Sequence, residues 1–147
     1  MMLIKKYFQV YHLFVRIVLI FLFVYAAVSK AIIFRQFLIQ LSESPLIPIY
    51  LVSFSGVFII LLELFICGLL MTEKYAYLGL LASYSLMLFF SAYMIYILKF
   101  APSIPCACGG ILGHLDHSYH LVFNIIITLL IIPLLIFNPD RLRVSSS

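Results

Sequence analysis

The chain has 147 residues, of which 66% are hydrophobic and 10% charged, and its mean hydropathy is +1.25. A soluble domain carries about a quarter charged residues, so the composition excludes one and points to a chain embedded in a lipid bilayer. The net charge of +4 comes from basic residues at the ends of apolar runs, where it sets orientation and is no signal for nucleic acid.

The N-terminus places Lys5 and Lys6 before a long apolar run. That run exceeds the ~15 residues of a signal-peptide core and lacks a small-x-small cleavage site, so it reads as a retained first span. This span covers about residues 13–34, interrupted by Arg16 near its start and Ser29-Lys30 near its end. A loop follows over 35–48, broken by Glu43, Pro45 and Pro48. Within it Phe37 to Leu41 is apolar enough to lie along the membrane interface. A second span covers about 49–70 and carries Glu63 and Cys67. The polar turn 71–74 leads to a third span, 75–98, which ends at Lys99. A fourth covers 119–137, contains Pro133, and is stopped by Asn138-Pro139-Asp140. Each is long enough to cross a hydrocarbon core of about 30 Å as a helix, and open strands would leave backbone groups unpaired in lipid. The expected fold is therefore all-α: one membrane domain over 1–147, a four-transmembrane-helix bundle.

Orientation follows from Lys and Arg. Lys5, Lys6, Arg16, Lys74, Arg141 and Arg143 lie on one side, and Lys30, Arg35 and Lys99 on the other. The excess places both the N and C termini in the cytoplasm. The loop 99–118 then faces outward, into the periplasm of a Gram-negative cell, a compartment that tolerates disulfides. The expected location is the bacterial inner membrane.

That outer loop concentrates the reactive chemistry of the chain. It runs Pro102-Ser-Ile-Pro105-Cys106-Ala-Cys108-Gly109-Gly110 and continues to His114, Asp116 and His117. A disulfide between Cys106 and Cys108 would close a small strained ring, and strain makes a disulfide easier to reduce. That favours transfer of oxidising equivalents over structural stapling. Gly109 and Gly110 permit close backbone approach and positive φ. The alternatives are two unrelated loop cysteines, or a metal site that joins Cys106 and Cys108 to His114, Asp116 and His117; no recognised ligand spacing is matched.

His120 and Asn124 lie four apart, on one face of the fourth span at the end that adjoins this loop. His120 could lower a thiol pKa or shuttle a proton, or serve only as an interfacial residue. Asn124 needs a polar partner in lipid. Cys67 lies near the cytoplasmic end of the second span, about 25 Å or more in depth from the loop, too far to resolve a disulfide there. It reads as a buried small hydrophobe. Arg16 and Glu63 both fall toward the cytoplasmic half and are expected to form a structural ion pair, with a proton relay as the functional alternative. Lys30 can snorkel to the outer interface or place positive charge near a thiolate.

Three stretches together resemble a known family: Tyr25-Ala-Ala-Val-Ser29-Lys30; Glu63-Leu-Phe-Ile-Cys67-Gly68-Leu-Leu; and Pro105-Cys106-Ala-Cys108-Gly109-Gly110 leading to His120-x-x-x-Asn124. The chain, from about Arg16 to Pro139, is similar to the MauE/DoxX-like redox-associated membrane proteins. The Cys-x-Cys-Gly element followed by His and Asn is the most specific part. The resemblance implies a four-helix bundle with an outward thiol pair at Cys106 and Cys108. It also implies a place in maturing disulfide-rich exported proteins, as for the light chain of methylamine dehydrogenase. The chain departs from the family pattern at Ala27, where Gly is common, and at His117, where an aromatic residue is common.

The function these readings favour is thiol/disulfide exchange with a periplasmic thioredoxin-like protein or a disulfide-containing client, by a thiol-disulfide oxidoreductase. One of Cys106 and Cys108 attacks, the other resolves, and His120 assists proton transfer. No motif specifies a cofactor; a quinone held between spans is the candidate electron sink. The rival readings are a non-catalytic membrane subunit or assembly factor with a structural disulfide, and a metal-handling membrane protein.

Overall fold

The computed structural model describes residues 2–44, 46–100 and 117–137. It is helical throughout its ordered elements: α1 (Met2–Ile32), α2 (Phe34–Ser42), a single 3₁₀ turn (Ile49–Leu51), α3 (Val52–Met71), α4 (Ala76–Phe100) and α5 (His117–Ile136). Four stretches are long and apolar enough to cross a membrane: Lys6–Ile32, Ile49–Met71, Ala76–Phe100 and Tyr119–Ile136.

The long helices run alternately up and down. α1 packs on α3, α3 on α4, α4 on α5, and α5 closes the ring against α1, most sparingly of the four seams. One end of the bundle carries the α1–α2 junction, the start of α3, the end of α4 and the start of α5. We call it the loop end, because the chain leaves it at Phe100 and returns at His117. The opposite, turn end carries the short connection between α3 and α4.

Helical periodicity decides which side chains face inward. On α1 the buried positions include Val15, Leu19, Phe23, Ala27 and Lys30, spaced three or four apart on one stripe, with Arg16 and Ser29 beside it. Leu13, Phe14, Ile17, Phe21 and Val24 on the other face are exposed. A large apolar surface of this kind suits lipid rather than water. The main core joins Leu19, Phe23, Ile66, Leu70, Leu80, Met87, Ile131 and Leu134 across all four long helices.

Several hydroxyls inside the bundle are satisfied locally. Ser83 donates to the carbonyl of Gly79 at 2.7 Å, Ser91 to Met87 at 2.8 Å and Thr128 to Asn124 at 2.7 Å. Each hydroxyl returns to the carbonyl one turn back, which suits a medium without water. Gly79 has a packing reason: a Cβ there would lie 2.9 Å from the backbone nitrogen of Leu70. The bare glycine lets α4 approach the backbone of α3 closely.

Two boundaries differ from the sequence reading. The first helix begins at Met2 rather than near residue 13, and it ends at Ile32. Residues 37–41, read as part of a loop with an apolar stretch along the interface, fall within a helix, α2, on which Phe37 and Leu41 are buried. Phe37 and Leu41 are buried with Val52 in a second small core against Phe34, Leu38, Ile47, Ile59 and Ile60.

Candidate functional site

The ionisable residues of the bundle pair in a way the sequence reading did not foresee. Lys30 Nζ donates to Glu63 Oε1 at 2.7 Å, and the two side chains are 3% and 1% exposed. Arg16, the expected partner of Glu63, lies elsewhere. Its Nε and Nη2 donate to the carbonyl of Leu70 at 3.1 and 2.7 Å, and its Nη1 to Glu73 Oε1 at 3.1 Å. The guanidinium therefore caps a carbonyl left open at the C-terminal end of α3, where cations are favoured.

The correction follows from helix geometry. Side chains lean toward the N-terminus of their own helix. α1 and α3 are antiparallel, so Arg16 leans toward the turn end and Glu63 toward the loop end, away from each other. Lys30 leans back down α1 and Glu63 leans up α3, so these two converge. Leu70, the partner of Arg16, is also about 10 Å along α3 from Glu63. Lys30 does not snorkel, because it continues the inward stripe of Phe23 and Ala27. Its ammonium lies 6.0 Å from the centroid of the Phe90 ring, within reach of a cation–π contact.

The Lys30–Glu63 pair forms part of the wall of a cavity of about 50 Å³. α1 contributes Leu22, Phe23, Tyr25, Ala26 and Lys30; α3 contributes Glu63; α4 contributes Met87 and Phe90. His120, Phe123 and Asn124 close it from α5. The shared face read from the spacing of His120 and Asn124 is thus the face turned toward this cavity. Glu63 Oε2 is buried and has no hydrogen-bond partner among the described residues. A second cavity, of about 90 Å³ and almost wholly apolar, lies on the other side of Lys30 and Phe90, between α2, α3 and α4.

Cys67 is buried, and its thiol donates weakly to the carbonyl of Ile20 at 3.8 Å. It lies about 22 Å of helix from the start of α3 at the loop end, which fits the role of a small core residue. Cys106, Cys108, Gly109, Gly110, His114 and Asp116 lie outside the described residues, and so does the side chain of His117. Among the described residues no three His, Cys, Asp or Glu side chains converge to hold a metal.

Sequence reasoning thus found His120, Asn124, Lys30 and Glu63, but not that all four surround one cavity. It missed Tyr25, Met87 and Phe90 as cavity residues and Glu73 as the partner of Arg16. The one available signal was that Lys30 falls on the same stripe as Phe23 and Ala27.

The whole bundle, from the first turns of α1 to the end of α5, is covered by one family: residues 8–137 match methylamine utilisation protein MauE. The chain belongs to the MauE family. With its four apolar helices it is a multi-pass membrane protein. No curated protein and no solved structure matches it. In this MauE chain the stretches that carried the resemblance contribute Tyr25, Lys30, Glu63, His120 and Asn124 to a single cavity.

Proposed function

We propose that this MauE-family protein carries out thiol/disulfide exchange through Cys106 and Cys108 on the outer face of the bacterial inner membrane. Its termini are cytoplasmic in this reading. A client awaiting its disulfides offers a thiolate that attacks the Cys106–Cys108 disulfide, its own second thiol then releasing it; with a thioredoxin-like partner that holds a disulfide, one cysteine of the pair attacks that disulfide. The other cysteine resolves the mixed disulfide, and His120 assists the proton transfer. Net oxidation of a client needs an electron acceptor, for which a membrane quinone is the candidate.

The observation that supports this reading most is the clustering of His120, Asn124, Lys30 and Glu63 around one cavity. Intramembrane ionisable groups are expensive and mark function more often than scaffold. The cysteine loop is tied by the chain to both Phe100 and His117, at the end of the bundle where this α5 face begins.

The Cys106→Ser/Cys108→Ser double variant tests the reading. Membranes carrying it are expected to lose exchange with a thioredoxin-like partner while the bundle stays folded. Full maturation of client disulfides by the folded double variant would instead favour a non-catalytic assembly factor. A stoichiometric metal in the purified protein, lost with His114 or His117, would favour metal handling.

A further inference from the structure

Glu63 is the least expected side chain in the bundle. It lies near the middle of α3, is 1% exposed, and uses only one carboxylate oxygen, Oε1, on Lys30. A buried acceptor without a donor loses its hydration uncompensated, and the cost is greater when the group is charged. Glu63 is one of the residues that line the 50 Å³ cavity. A water needs about 10–15 Å³ on this measure, so the space takes about three or four waters. It is far below the roughly 150 Å³ of a cavity that admits a benzene ring. The lining is mostly apolar, and Lys30, Glu63, His120 and Asn124 supply the two to four polar partners that a buried water needs.

We propose that this cavity is a hydrated proton-holding site, in which water donates to Glu63 Oε2 and the Glu63 carboxylate takes up a proton moved by chemistry at the loop end. The site itself stands on geometry. The source of the proton rests on the thiol exchange proposed above. In that exchange the S–H bond of the attacking cysteine breaks and its electron pair stays on sulfur. The proton passes by His120 and cavity water to a Glu63 oxygen, forming an O–H bond. The thiolate then attacks the partner disulfide, and the proton returns to the thiolate that leaves. No external oxidant or reductant is consumed.

The titratable and charged groups around Glu63 are few. α1 supplies Lys30 and Tyr25, α5 supplies His120, and α3 itself supplies Cys67 one turn away. The α4 residues at the cavity, Met87 and Phe90, do not titrate. Glu63 is therefore the one carboxylate among the cavity residues, with Lys30 positioned to hold it. Its role is distinct from that of a merely structural ion pair, which needs neither water nor a change of protonation.

The test uses the full chain in lipid nanodiscs. Infrared spectra of the Cys106→Ser/Cys108→Ser variant, taken as pH is lowered, are expected to show a protonated-carboxyl band. That band shifts in D₂O and vanishes when Glu63→Gln is added. In the cysteine-containing protein, Glu63→Gln is expected to slow exchange by about 100-fold or more, the scale of a lost proton-transfer group. If Glu63→Gln fails to fold, Lys30→Met/Glu63→Gln removes both charges and serves in its place. Absence of any carboxyl band assignable to Glu63 would overturn the proposal, as would wild-type exchange by a folded Glu63→Gln variant. A Glu63 band in a protein that exchanges no thiols would sink the exchange reading and leave the hydrated carboxylate standing.

Discussion

Two buried ionisable side chains, Lys30 and Glu63, set the character of this bundle. Removing one partner of a buried pair leaves the other charge uncompensated and typically costs about 3–5 kcal/mol. Replacing both by apolar groups of similar volume is often neutral. Lys30→Ala is therefore expected to destabilise the protein by about 3–5 kcal/mol, and Lys30→Met/Glu63→Leu by much less. Unfolding in mixed micelles measures both. Equal losses in the single and double variants would show that packing, not charge, holds the two helices at this level. The partner of Glu63 was not legible in the sequence. Arg16 and Lys30 are both buried on the inward side of α1, so periodicity alone does not choose between them. The choice is made by the lean of helical side chains and by the register of α1 on α3. No spacing rule reveals that register, nor the packing of Phe37 and Leu41 of α2 with Val52 of α3. His120 and Asn124, by contrast, were legible as a pair, because four residues is one turn whatever the tertiary context.

Between elements, the closest backbone approach tested by a glycine among the described residues is that of α4 to α3. A methyl group on Gly79 would lie 2.9 Å from Leu70 N and 3.1 Å from the backbone carbon of Leu69, neither of which can rotate away. Gly68 has nothing within 4 Å of such a methyl group. Gly79→Ala is expected to cost about 1–3 kcal/mol by forcing the two helices apart. Gly68→Ala is expected to leave stability unchanged or raise it by up to about 1 kcal/mol, because Gly is a poor helix residue. Thermal unfolding of the two variants side by side checks the contrast, and equal stability would contradict the close approach. Hydropathy marked all four long helices, because lipid-facing and core-facing positions are both apolar and leave continuous runs. It missed the first turns of α1, where Lys5, Lys6 and Gln9 dilute the signal, and it did not show that residues 34–42 form a helix.

As a whole, the molecule is an up-down ring of four long helices, with the Lys30–Glu63 cavity lined mainly from α1 and α5. Orientation in the membrane was inferred from the placement of Lys and Arg, and the function proposed needs the loop end to face outward. A reporter active only in the cytoplasm, fused after Val144, is expected to be active; activity of a periplasm-specific reporter at that position would reverse the topology. The family was legible because its marks fall where side chains converge: Lys30, Glu63, His120 and Asn124 are spread over more than ninety positions of sequence yet meet at one site. The most direct measurement is to trap partner proteins on membranes carrying either Cys106→Ser or Cys108→Ser. An exported protein held by a reducible bond to the remaining cysteine in one of the two variants is the expected result. No such adduct in either variant, under conditions where the partner's own disulfides stay accessible, would contradict exchange at this loop.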